Sequence, residues 1–259
     1  MVFFPYFLTK LVTMTDRAAE PRIADIASTG CIRLVLFLPQ YAKTSTGDIN
    51  PVGAGFVAHE LIGALAEHLQ IRMQIVHQQA PPKAIETLNG GGCDVMILGI
   101  EESRRKLVDF TPPVIQFDYA YLVPPGSPIE ETADVDHPGH RISVPQEHAS
   151  WMALKRLIRH AEIVGTDLPD EAFALIRDGN ANVFALPREQ LIDYAALLPG
   201  SRILTQGFGV NDVGLAVAKG RSQLLAYISD FVEEAKASGL VSRILDGAEL
   251  TSRGFNVAN

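Results

Sequence analysis

Short β-rich apolar runs alternate with amphipathic stretches from residue 31 onward, and this alternation constrains the fold more than any other feature of the chain. Cys31-Ile32-Arg33-Leu34-Val35-Leu36-Phe37-Leu38 is such a run; it stops at Pro39, and a polar, turn-rich stretch from Lys43 to Asn50 follows. From Gly55, the residues Phe56, Leu61, Ile62, Leu65, Ala66 and Leu69 recur at helical spacing. Ile71 to Val76 reads as the next strand. Pro81 and Pro82 suit a helix start, Ile85 and Leu88 supply its inner face, and Asn89-Gly90-Gly91-Gly92 stops it. Asp94-Val95-Met96-Ile97-Leu98 has the continuous apolar character of a strand covered on both faces. Three strands joined by helical crossovers predict a right-handed, parallel βαβαβ unit.

The cluster Pro124-Pro125-Gly126-Ser127-Pro128 marks a boundary, after which the scheme resumes on a smaller scale. Strands are expected at Arg141 to Val144, Ile163-Val164, Val183 to Leu186 and Arg202 to Leu204. Helices are expected at Ser150 to His160, Asp170 to Arg177 and Glu189 to Leu198. Asp212 to Ala218 is again strand-like. Leu224, Leu225, Ile228, Phe231, Val232 and Ala235 then define a long amphipathic helix, with Gly239 as its stop.

With 259 residues, 47% hydrophobic and 20% charged, the chain has room for two packed cores and is neither disordered nor collagen-like. Its net charge is −8 and no basic run exceeds Arg104-Arg105-Lys106, so a nucleic-acid partner is not expected. Cys31 and Cys93 allow at most one bridge and are expected to be reduced. Phe3 to Leu8 is the longest apolar run and falls far short of the ~20 residues of a membrane span. The first residues make a poor secretory signal, because no basic residue precedes the run, Lys10 cuts it short and Ala18-Ala19-Glu20-Pro21 is a poor cleavage site. Periplasmic and cytoplasmic residence both stay open, as does an upstream start with Met14 as the true first residue. The sequence carries no nucleophile elbow, zincin motif or phosphate-cradling glycine loop, and neither a cofactor nor a metal is expected.

Several motifs occur in an order that resembles a known family. Asp94-Val95-Met96-Ile97-Leu98-Gly99, followed by Ser103-Arg104-Arg105-Lys106-Leu107-Val108-Asp109-Phe110-Thr111 and Pro113, is similar to the D-V-I-x-x-G … E-R-x-x-x-V-D-F-S-x-P-Y stretch of the type 2 periplasmic solute-binding proteins, family 3. The likeness continues in Tyr121 to Pro128, in Gly214-Leu215-Ala216-Val217-Ala218-Lys219-Gly220 and in the helix ending Lys236-Ala237-Ser238-Gly239, and it covers residues 28 to 248. It looks most like a signal-less subgroup. The resemblance implies an α/β, two-lobe fold, each lobe a mainly parallel sheet flanked by helices, with a ligand cleft between the lobes. It places an N-terminal extension at 1–27, the first lobe at 28–124 with 210–259 and the second at 125–209. Hinge crossings are expected near Leu122-Val123 and Val210-Asp212. It also implies a monomer that captures a small-molecule ligand and hands it to an ABC transporter permease.

Residue by residue, the resemblance directs attention to the carboxyl ends of strands, where open α/β sheets bind ligands. Gln40 and Tyr41 follow the first strand, and Gly99, Ile100 and Glu101 follow the third. Arg104 matches the family's clamp for a ligand carboxylate, a task suited to a planar guanidinium; an internal pair with Glu101 is the alternative. Asp118 lies on the strand leading to the hinge. In the second lobe His148, Ala149 and Ser150 open a helix whose amides suit an anion, although Glu147 and His148 stand where the family often has Gly-Thr. Trp151 is read as helix packing. Family receptors usually hold the ligand ammonium with an Asp at the position of Pro187, and this chain continues with Arg188. An ammonium must then be held by another acid such as Glu101 or Asp118, or the ligand is not an ordinary α-amino acid.

The leading expectation is a non-catalytic solute-binding protein for a small carboxylate-bearing metabolite, amino-acid-like or an organic acid. The alternatives are a cyclohexadienyl dehydratase-like enzyme on the same fold, with Glu101, Glu147 or His148 as general acid, and a cytoplasmic ligand sensor.

Overall fold

The computed structural model of the chain describes residues 21–38, 40–43, 49–146 and 149–258, and for 42, 43, 49 and 149 the backbone alone. In chain order the elements are α1 (Ala24–Thr29), β1 (Cys31–Phe37), β2 (Tyr41–Lys43), β3 (Ile49–Pro51), α2 (Ala54–His68), β4 (Arg72–Gln78), α3 (Pro81–Asn89), β5 (Val95–Gly99), α4 (Glu102–Arg105) and β6 (Val108–Val123). There follow β7 (Arg141–Pro145), α5 (Ala149–Leu157), β8 (Glu162–Thr166), α6 (Pro169–Arg177), β9 (Val183–Pro187), α7 (Arg188–Leu197) and β10 (Arg202–Ile203). The chain closes with β11 (Gly209–Ala218), α8 (Ser222–Ala237), α9 (Leu240–Gly247) and β12 (Phe255–Val257). The alternation read from the sequence is therefore present; α1, α4, α9, β12 and the β2–β3 hairpin were not anticipated.

Two compact units result: residues 1–115, 212–250 and 256–259 form one, and 116–211 with 251–255 form the other. The chain first passes from one to the other at Ile115–Gln116, within β6, one continuous strand; the Pro124–Pro128 punctuation comes only after that strand has ended.

In the first unit β1 is central, pairing in parallel with β4 and with β5, and β11 joins antiparallel to β5 with Val213 opposite Gly99. The buried faces follow from sequence period. Val57, Ala58, Leu61, Ile62, Leu65 and Ala66 are the inner stripe of α2, while Ala84, Ile85 and Leu88 of α3 pack with Val35, Met96 and Leu98. Residues 21–29 belong to this core and not to a free extension, since Ile23 and Ile26 are buried; residues 1–20 and Met14 lie outside the described residues. Both cysteines are free. Cys93 is buried in the core with Val35, Ala84, Leu88 and Met96, while Cys31 is half-buried at the start of β1.

The second unit is built on β7, which pairs in parallel with β8 and β9, while β9 and β10 flank the second half of β6 antiparallel to it. Two cores cover its faces, one around Tyr121, Ile142, Leu154 and Val183 with Trp151 packed against it, the other around Phe173, Ile176, Phe184 and Leu191. Among the described residues no helix is long and apolar enough to cross a membrane.

Candidate functional site

In the first unit the chain leaves β1 for β4 on one side and returns to β5 on the other, so the carboxyl ends of β1 and β5 flank a topological switch point. Gln40 sits there. It is buried, its Nε2 donates to the Ile97 carbonyl at 2.8 Å, and its Oε1 accepts from Phe37 N–H at 3.4 Å. Both ends of the amide are thus committed to backbone, and Gln40 ties β1 to β5. The approach of α2 at this corner requires Gly55, where a Cβ would lie 2.1 Å from the Gln40 carbonyl oxygen. Tyr41 is also buried, with its hydroxyl donating to Gln78 O at 3.1 Å and its ring edge-on to His77.

The end of β5 forms a shelf. Ile100 N–H donates to Asp212 O at 2.7 Å, continuing the β5–β11 ladder past Gly99. Glu101 turns the chain into the single turn of α4, its carbonyl accepting the N–H groups of Arg104 and Arg105, and its side chain makes no cap. Arg104 folds back on this turn: Nη1 donates to Gly99 O at 3.1 Å and lies 3.2 Å from Glu101 Oε1. The internal pair is therefore real, yet it occupies one nitrogen only. Among the described residues Nε and Nη2 have no partner, which leaves the side-on fork of a guanidinium that is about one quarter exposed.

In the second unit Arg188 follows β9 and is held more firmly. Nη1 donates to Leu204 O at 3.1 Å, Nη2 to Thr205 O at 2.8 Å, and Nε faces Asp118 at 3.7 Å. Gly254, at φ 93°, lies close beneath; a Cβ there would come within 2.9 Å of Arg188 Cδ. Arg253 beside it donates to Asp193 and to the Glu189 carbonyl. Burial raises the Glu189 carboxyl pKa, and the nearby Arg253 only partly offsets this. The Arg253-Gly254 segment was not singled out in the sequence, although a glycine between a basic and an aromatic residue is a turn signal.

Ala149 and Ser150 open α5 after β7. Ser150 is fully buried and among the described residues its Oγ has no hydrogen-bond partner, an unusual state for a buried hydroxyl. His148 and Glu147 lie outside the described residues. The expected residues thus fall into three groups: Gly99, Ile100, Glu101 and Arg104 share one shelf, Asp118 and Arg188 pair, and Gln40 and Tyr41 bond to backbone. Among the described residues no cluster of His, Cys, Asp and Glu comes together that could hold a metal ion.

The family model of the bacterial extracellular solute-binding proteins, family 3, matches residues 36–247. The chain belongs to that family. A Neisseria gonorrhoeae protein named for histidine binding is 21% identical over 221 residues, 80% of this chain and 78% of that protein. A structure described as a binding component of an ABC transporter from Wolinella succinogenes, complexed with lysine, superposes with a TM-score of 0.67 at 21% identity, covering 84% of this chain and 94% of that one. An ancestral amino-acid-binding protein described as a precursor of cyclohexadienyl dehydratase superposes with a TM-score of 0.65 at 22% identity, covering 87% and 97%. The solute-binding family gives the two-lobe, type 2 α/β fold.

Proposed function

We propose that this family 3 protein is a non-catalytic receptor that captures an amino-acid-like carboxylate for uptake through an ABC-type importer, with Arg104 as the carboxylate clamp. The single observation that carries the assignment to Arg104 is its Nε–Nη2 edge, which among the described residues has no partner and faces no acid while Nη1 is held by the Gly99 carbonyl. A relative named for histidine binding, one complexed with lysine and one described as a receptor for L-cysteine support an amino-acid-like solute. Gln40 and Tyr41 shape the corner beside the shelf, their side chains bonded to the Ile97 and Gln78 carbonyls.

A family 3 receptor of this kind works as a monomer. The dehydratase reading has one relative in its favour. Its described candidate acid, Glu101, is held against Arg104, which supports binding over proton transfer.

The test is thermal unfolding against the twenty L-amino acids and a set of mono- and dicarboxylates, followed by calorimetry on each positive. A solute at 100 times its dissociation constant adds about 2.7 kcal/mol to the folded state. Stabilisation by at least one carboxylate that is lost in Arg104→Ala is expected. No stabilisation by any of them would overturn the reading, as would turnover of prephenate or arogenate.

A further inference from the structure

We infer that Glu101 is the acceptor for the solute's ammonium group, so that Glu101 and Arg104 together read both charges of an α-amino acid from one shelf of one unit. This rests on the proposed role of Arg104 and adds the group that selects amino acids over other carboxylates.

The basis is what each member of the pair leaves open. Among the described residues Arg104 uses Nη1 alone, on Gly99 O and Glu101 Oε1, so that Nε and Nη2 stay available. Among the described residues Glu101 uses Oε1 alone. Its backbone carbonyl is fixed by two N–H groups of α4, its carboxylate caps nothing, and the side chain is one third exposed. Donors and acceptors thus stand open on the same short turn, three residues apart. The head group of an α-amino acid is itself an ion pair, with ammonium and carboxylate on one carbon. Laid against Glu101–Arg104 in the opposite sense, its carboxylate meets the guanidinium fork and its ammonium meets the carboxylate. Every charge then faces an opposite one, and the existing pair need not be broken.

The other acids near strand ends offer less. Asp118 faces Arg188, but that guanidinium has both Nη atoms on the Leu204 and Thr205 carbonyls, so no fork remains to seat a carboxylate beside it. Pro187, at the end of β9, carries no acid. Asp212 shares the shelf through its backbone, yet its exposed carboxylate has no guanidinium paired with it among the described residues.

The experiment compares each amino acid that binds with the analogue carrying hydrogen in place of the α-ammonium: 6-aminohexanoate for L-lysine, 3-(imidazol-4-yl)propanoate for L-histidine. Calorimetry is run on the wild type, Glu101→Gln, Asp118→Asn and Asp212→Asn. In the wild type the analogue should bind at least thirtyfold more weakly. Glu101→Gln should lose at least tenfold for the amino acid while leaving the analogue unchanged or tighter, and the two Asp variants should preserve the wild-type ratio. The inference is overturned if Glu101→Gln keeps that ratio, if an Asp variant abolishes it, or if only carboxylates without an ammonium bind. That last result would leave the proposed function standing, whereas binding of no carboxylate at all would remove both.

Discussion

Asp94 and Arg33 form a two-pronged pair across the amino ends of β1 and β5: Nε donates to Oδ2 at 3.0 Å and Nη2 to Oδ1 at 2.9 Å, while Arg33 N–H also donates to Oδ2 at 2.8 Å. Arg221 adds a contact at 3.4 Å and itself pairs with Asp25, so one buried carboxylate ties α1, β1, β5 and the start of α8. Burial by itself would raise the Asp94 pKa. The hydrogen bonds and charge of Arg33, helped by Arg221, outweigh it and hold the carboxyl below its usual range. A depressed carboxyl pKa gives stability that is fully present above the unfolded value of about 3.9 and is lost as pH falls through the folded value. Asp94→Asn should cost about 2 kcal/mol at pH 7. Denaturant unfolding of both proteins from pH 7 to pH 3 checks this, and the gap between them should narrow as the pH falls; a constant gap would refute the charge-based account.

The two thiols should differ in reactivity. Burial and the neighbouring Asp94 push the Cys93 thiol up to about 12, and the side chain is shut from solvent. Cys31 is half-buried. In native protein an alkylating reagent near pH 8 should modify one thiol, mapped by mass spectrometry to Cys31, with Cys93 reacting only after unfolding. A Cys31–Cys93 bridge in freshly purified protein would contradict the two free thiols.

Ser150 should be a site where a deletion stabilises. An unpaired buried hydroxyl carries a desolvation cost of about 1–3 kcal/mol, and Ser→Ala removes it with little change of volume. Ser150→Ala is expected to raise the unfolding free energy of the unliganded protein by about 1 kcal/mol in urea titrations. A loss of stability would mean that the hydroxyl has a partner.

Arg104→Ala should weaken solute binding about thirtyfold or more without a matching loss of stability. Its clamp role is a charge-assisted one, and truncation on one side of such a contact costs on the order of 2–5 kcal/mol. Calorimetry and thermal unfolding on the same preparation separate the two effects. Binding unchanged in Arg104→Ala would remove Arg104 from the site.

Much of the architecture was legible because period is a local property. The apolar stripe of α2 and the continuous apolar run of β5 are set by residues a few positions apart. β12 and α9 escaped notice for the same reason: α9 has only two buried residues and β12 is three residues long, and their place is fixed by surfaces distant in sequence. The long reach of β6 past Phe110 was masked by Pro112 and Pro113, which punctuate a sequence but are tolerated within this strand.

The candidate residues divide along the same line. That Gly99, Glu101 and Arg104 would cluster could be read from the sequence, because they span six residues around one turn. What each side chain does there could not, since hydrogen-bond partners are chosen in three dimensions. Gln40 turned to Ile97, Asp118 found Arg188, and Arg188 in turn reached Leu204 and Thr205 over a segment bent by Gly254. The sequence by itself determined the alternation of strands and helices, the absence of a basic surface and the short turn that carries Arg104 and Glu101, all consequences of neighbouring residues. Only the tertiary structure decided which guanidinium keeps a free edge among the described residues, because that depends on which backbone carbonyls the packed strands bring to 2.8–3.1 Å from it.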